Sequence, residues 1–136
     1  MMRFTTMWLA VLAVAFAAPG AAATKVLKAR SGPLTVTEAP PATHTPKANT
    51  NVWITVTATL GGKPATKASA YYQFLFGGTV VSTQYVCNNK HFTFNGRFRD
   101  NLVFPGSAVG QPLTLRVIVK VGSRTVHLDW AITAHA

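Results

Sequence analysis

From Asn51 onward, apolar and polar residues alternate in short stretches separated by turn formers, and no stretch repeats with helical period. Leu113, Leu115, Val117, Val119 and Val121 share one face ahead of Gly122-Ser123, and Val126, Leu128, Trp130 and Ile132 share one behind it. A two-residue turn that begins with glycine suits a type II′ hairpin. It pairs Val119 with Val126, Val117 with Leu128, Leu115 with Trp130 and Leu113 with Ile132. The opposite face then sets Arg116 against Asp129, Ile118 against His127 and Lys120 against Thr125. A slip of one residue scrambles both faces, so the pattern specifies its register.

A second hairpin runs through Gly77-Gly78. Pairing across it predicts Phe74 opposite Val81, Tyr72 opposite Thr83, Ala70 opposite Tyr85 and Ala68 opposite Cys87. That register makes Cys87 a small buried hydrophobe. Upstream, Val52, Ile54, Val56, Ala58 and Leu60 alternate with Trp53, Thr55, Thr57 and Thr59. Downstream, Phe92 and Phe94 lead past Asn95-Gly96 to a strand in which Phe98, Leu102 and Phe104 share a face with one odd member, Asp100. An earlier strand over residues 33–38 carries Glu38, and the proline-rich stretch at 39–46 reads as an edge segment or connection. About seven strands with one apolar face each must cover one another. The expected fold is all-β, a two-sheet antiparallel sandwich.

Ahead of these strands the pattern changes. Arg3 gives a short positive start, residues 7–18 are uncharged and apolar, and Pro19-Gly20 breaks the run before Ala21-Ala22-Ala23. Those are the parts of a cleavable signal peptide over residues 1–23, too short for a spanning helix. Thr24 where a lipoprotein would have cysteine, and no paired arginine, set aside two other export routes. No later segment could cross a bilayer as a helix. The protein is expected to be secreted, extracellular or associated with the cell envelope. Residues 24–32 read as a basic N-terminal tail, and 33–136 as the sandwich domain.

The run Tyr72-Gln-Phe-Leu-Phe-Gly-Gly-Thr-Val-Val81 is followed by Gly96-x-Phe98-x-Asp100-x-Leu102 and by Ala108-Val-Gly-Gln-Pro-Leu-Thr-Leu-Arg-Val117. Together they resemble the immunoglobulin-like, fibronectin-III-like domains of exported actinobacterial proteins, over about Asn51 to the C-terminus. The resemblance implies a sandwich used for extracellular binding, adhesion or spacing, and it carries no catalytic residues across. The paired cysteines and core tryptophan spacing of antibody domains are missing.

Composition narrows the chemistry. The chain has 136 residues, 49% of them hydrophobic, with 13 Lys and Arg against 3 Asp and Glu and a single cysteine. One cysteine makes no internal disulfide and no cysteine-rich zinc site. A disulfide-linked dimer through Cys87 is the alternative to its burial. Three acids leave little for acid/base pairs or magnesium. His127 and Asp129 lie two residues apart near Ser123 and Thr125, yet the hairpin register gives Asp129 to Arg116 as a cross-strand ion pair. No Gly-x-Ser-x-Gly elbow is present. His44, His91, His127 and His135 lack metal-ligand spacing and read as solvated side chains. No enzyme activity, cofactor or metal is expected.

The net charge of +10, or +9 once Arg3 is removed, is the one compositional pointer to a partner. Lys25, Lys28 and Arg30 cluster early, Arg97 and Arg99 share a strand face, and Lys120 lies beside Arg116. Such surfaces attract acidic polymers. Trp53 and Tyr71 are outward aromatics and candidate partner contacts, but no nucleic-acid signature accompanies them, so nucleic acid is disfavoured. The plainer reading is that the charge keeps an exported domain soluble. The expected function is a non-catalytic extracellular binding module with diffuse affinity for acidic surfaces, its partner a protein or an acidic envelope polymer. The loop at residues 104–112 and the segment at 85–95 are its natural contact surfaces. Alternatives are an inhibitor presenting an exposed loop, and last a hydrolase.

Overall fold

The computed structural model describes residues 26–40 and 44–136. The expected signal peptide over residues 1–23 and Lys25 lie outside them. The described residues form ten strands: β1 (Leu27–Ser31), β2 (Leu34–Ala39), β3 (Asn51–Leu60), β4 (Lys63–Pro64), β5 (Ala68–Phe76), β6 (Thr79–Tyr85), β7 (Thr93–Phe94), β8 (Arg97–Val103), β9 (Pro112–Val121) and β10 (Arg124–Thr133). They build two antiparallel sheets. One has the order β1-β2-β3, with β8 and the short β4 along the far edge of β3; the other runs β10-β9-β5, with β6 and the short β7 along the far edge of β5.

Period-two alternation decides which residues meet between the sheets. Leu34, Val36, Val52, Ile54, Val56, Phe98 and Leu102 are buried from one side, and Tyr72, Phe74, Leu115, Val117, Val119, Leu128 and Trp130 from the other. Burying such side chains stabilises by about 1.5–3 kcal/mol each, which is what holds two otherwise solvent-soluble sheets together. Phe104 packs edge-on against both Phe74 and Trp130, at centroid distances of 6.0 and 6.4 Å. Phe98 meets Phe94 and Phe92 in the same manner at 4.8 and 5.2 Å. The fold is an all-β, two-sheet antiparallel sandwich.

The β9–β10 hairpin has the predicted register at every pair from Val119↔Val126 to Leu113↔Ile132. Gly122 takes φ +59° at the first turn position, the conformation that a type II′ turn demands and that glycine alone adopts without strain.

Two expectations are corrected. The strands number ten rather than about seven, because β1 and the two-residue β4 and β7 join the sheets. Of these, β1 takes Leu27–Ser31 out of the expected basic tail: the turn at Gly32-Pro33 folds it antiparallel onto β2, with Ser31 opposite Leu34. Gly32 has φ +57°, a backbone conformation that favours glycine, and a Cβ there would displace the tip of the Arg124 side chain.

The second correction concerns register. The β5–β6 hairpin begins as predicted with Phe76↔Thr79 and Leu75↔Val80, then a bulge shifts it to Phe74↔Ser82, Tyr72↔Gln84 and Tyr71↔Tyr85. Val81 is the extra residue, 59% exposed. One inserted residue exchanges the two faces of everything beyond it. Without the bulge Cys87 would enter the core; with it, Val86 does, fully buried, and Cys87 is exposed. A valine gains more from burial than a thiol carrying a weak donor, which gives the bulge its physical reason.

The two long sides of the sandwich differ. On one, β1 lies against β10, and Arg124 Nη1 donates to the Ser31 carbonyl at 3.3 Å. On the other, β6 and β8 end the two sheets, with no strand beyond them among the described residues. Between them opens a cavity of about 380 Å³ lined by Phe74, Phe76, Val81, Val103, Phe104 and Leu113.

Candidate functional site

The outer face of the β1-β2-β3-β8 sheet collects cations that lie far apart in sequence. Lys28 and Arg30 alternate with the half-buried Leu27, Ala29 and Ser31, so they project outward at one edge. Arg97 and Arg99 alternate with buried Phe98 and Asp100 and project outward at the other. The registers align them in rows: Lys28, Thr37, Thr57 and Arg97 run straight across the sheet, and Arg30, Thr35 and Thr59 form the adjacent row. Thr55 pairs with Arg99 in the next. Neighbouring strands are about 4.8 Å apart, so the two basic edges stand roughly 14 Å from each other across a floor of threonines. Within each edge the cations are about 7 Å apart, inside the screening length of ~8 Å at physiological salt, so their fields add.

This face has no side-chain carboxylate. Glu38 and Asp100 point inward, buried, and Asp129 sits on the other sheet. Trp53, 45% exposed, lies on the same face with the Arg99 guanidinium carbon 4.3 Å from its ring centroid. That contact fixes the Arg99 side chain and leaves part of the indole open.

Of the six predicted polyanion contacts, the sheet therefore gathers Lys28, Arg30, Arg97 and Arg99. Lys25 lies outside the described residues. Lys120 faces out from the other sheet, in a row with Ser69 and Thr125. Tyr71 is half-buried on that same outer face beside Ile118 and His127, so it and Trp53 belong to opposite surfaces.

Arg116 and Asp129 face one another across the hairpin. Nε donates to Oδ1 at 2.8 Å and Nη2 to Oδ2 at 3.0 Å, a two-point contact with both side chains partly in water. The hydrogen bond from Arg116 holds the Asp129 carboxyl below its usual range. Such pairs are worth ~0–1 kcal/mol. A double-mutant cycle with Arg116→Ala and Asp129→Ala is expected to give a coupling of about 0.5–1 kcal/mol in urea titrations, shrinking in molar salt. A coupling above about 2 kcal/mol would show that solvent screening is far weaker there than the exposure implies.

With Asp129 so engaged, no carboxylate orients His127 toward Ser123 or Thr125. His44 lies elsewhere, its Nδ1–H donating to the Ala131 carbonyl at 2.7 Å. Among the described residues, no three His, Cys, Asp or Glu side chains come close enough together to hold a metal ion. No helix among them is long and apolar enough to cross a membrane.

Two buried acids escaped the sequence reading as sites. Asp100 accepts the Tyr72 hydroxyl at 2.9 Å and the Cys87 backbone N–H at 3.2 Å on Oδ2, and the Asn101 N–H at 2.9 Å on Oδ1. The Cys87 thiol lies 3.6 Å from Oδ1. Cys87 itself holds φ +52° in the short turn after β6. Partial desolvation and the neighbouring carboxylate push its thiol upward, which keeps it protonated and slow in disulfide exchange. The Asp100 hydrogen bond follows desolvation in pushing the Tyr72 hydroxyl up as well. Glu38, by contrast, is fully buried with neither oxygen hydrogen-bonded. Burial, with a smaller contribution from Asp129, pushes it up to about 8. The strand alternation did place Asp100 on an apolar face.

Comparison with protein-family models, curated proteins and solved structures finds no match to this chain.

Proposed function

We propose that this protein is a non-catalytic extracellular or envelope binding module that holds an acidic polymer on the outer face of its β1-β2-β3-β8 sheet. The observation that carries this reading is the concentration of Lys28, Arg30, Arg97 and Arg99 on a face without a side-chain carboxylate. A flexible chain of phosphates or carboxylates laid across the strands would meet one basic edge, hydrogen-bond along the threonine floor and meet the other edge. Arg99 stacked on Trp53 gives one fixed point in this arrangement. The earlier expectation of diffuse affinity thus sharpens to one face.

Co-sedimentation with isolated cell wall across a salt series tests it. Each cation near an anionic surface contributes about 1 kcal/mol, so Arg97→Gln with Arg99→Gln should weaken retention roughly thirtyfold. The control removes the same charge elsewhere, through Lys90→Gln with Lys120→Gln. Loss through the first pair alone supports the face. Equal losses would return the charge to a bulk property, and no retention at low salt would end the polymer reading.

A further inference from the structure

We propose that two copies of this chain associate edge to edge through β6, making one continuous sheet across a twofold axis near Thr83. The sandwich has four sheet edges, and three are unsuited to self-pairing. The edges at β1 and β10 lie against each other on the closed side. The edge at β8 carries Arg97 and Arg99. On the open side, β6 pairs only with β5 over Thr79–Tyr85, so among the described residues its outer row of backbone donors and acceptors meets no strand.

Charge selects the occupant. Residues 68–89 contain no Lys, Arg, Asp or Glu, although the whole chain carries +10. In a twofold contact, groups at the axis meet their own images, so any cation there repels itself. The edge of a strongly basic protein can pair with a second copy only where its charge is absent, and β6 is that edge. Edge strands in monomeric proteins are commonly guarded by lysine, proline or an inward charge. This one has none of these. Its bulge at Val81 leaves the pairing from Ser82 to Tyr85 regular.

The exposed apolar residues agree with the axis. With Thr83 opposite its own image, Ser82 of one copy faces Gln84 of the other, and the exposed Val81 and Tyr85 flank that regular stretch. These residues are 59% and 39% exposed in the single chain. Val103 and the cavity mouth between β6 and β8 flank the same seam. Each Cys87 would lie past the end of its own β6, at opposite ends of the seam and roughly 20 Å or more from the other. The association therefore needs no disulfide and excludes one between these cysteines. An axis perpendicular to the joined sheet also turns both basic faces to the same side. That last consequence, and only that one, rests on the proposed function; it would give two-point attachment to one polymer surface.

Sedimentation equilibrium of the purified protein with thiol present, from about 1 to 200 μM, tests the association in the range expected for a small interface. A concentration-dependent dimer is expected. Thr83→Lys and Thr83→Glu should each weaken it at least tenfold with unchanged thermal midpoints, and mixing the two variants should restore a dimer containing one copy of each. Val81→Lys provides an independent break on the same strand should either variant fold poorly. A monomer throughout the range would overturn the proposal, as would a dimer indifferent to all three substitutions. A dimer seen only in a parallel run without thiol would overturn it in favour of Cys87.

Discussion

Replacing Glu38 with methionine should stabilise the protein, modestly in mild acid and strongly above pH 8. The carboxyl is fully buried and neither oxygen has a partner, so even the neutral form leaves unsatisfied polar atoms at about 1–3 kcal/mol. Ionisation adds the larger cost. Burial raises the group from 4.5 to about 8, and the charge of Asp129 acts in the same direction; Tyr72 is a further titratable neighbour. The folded state binds this proton more tightly than the unfolded chain does. Its contribution is therefore fully present below about pH 4.5 and is lost as the pH rises through about 8. Linkage makes the loss roughly 5 kcal/mol, comparable to the whole stability of many domains. Thermal midpoints measured from pH 5 to 9 should fall steeply for the natural chain and stay nearly level for Glu38→Gln, which cannot ionise. A glutamine variant that keeps the natural slope would refute the assignment to Glu38.

Removing the other buried acid should do the reverse. Asp100→Leu is expected to cost about 3 kcal/mol or more, because it strands the Tyr72 hydroxyl and the Cys87 backbone N–H together. Tyr72→Phe alone removes one donor from a carboxylate that keeps the Cys87 and Asn101 N–H groups, and should cost about 1.5–3 kcal/mol. In the double variant the hydroxyl is no longer stranded, so the penalties should sum to less than their separate values. Urea midpoints of the four proteins close this cycle. Strict additivity would mean that the 2.9 Å contact between Tyr72 and Asp100 contributes nothing.

How much of this was readable in the chain depends on what fixed each feature locally. The β9–β10 hairpin was legible to the residue because a glycine turn and two consistent faces left no competing register. The β5–β6 hairpin was legible only for its turn and first two pairs. Its bulge is set by a long-range contest between Val86 and Cys87 for the interior, which alternation along one strand does not record. Strand β1 was missed because Lys28 and Arg30 mask a weak alternation of Leu27, Ala29 and Ser31, although Gly32-Pro33 was a serviceable turn signal. The basic face was hidden for a related reason. Its four cations sit on the first and eighth strands, which become the opposite edges of one sheet only after the chain has crossed between sheets. Asp100 was visible as the odd member of an apolar face, but its three backbone and hydroxyl donors were not, since they come from β5, the turn after β6 and its own neighbour.

The three acids together have an effect on how the protein behaves as an ion. Glu38 is protonated at neutral pH, Asp100 is enclosed by its donors, and Asp129 is held by Arg116. Burial keeps Glu38 neutral through the mildly acidic range, and Arg116 holds Asp129 ionised through it. Lysine and arginine keep their charge throughout that range, so apart from the histidines the outward charge is nearly independent of pH. Attraction to an acidic surface would then be governed by ionic strength and by the ionisation of the surface itself. The lysine and arginine charge thus stands almost unopposed at the surface, a balance set when the chain folds.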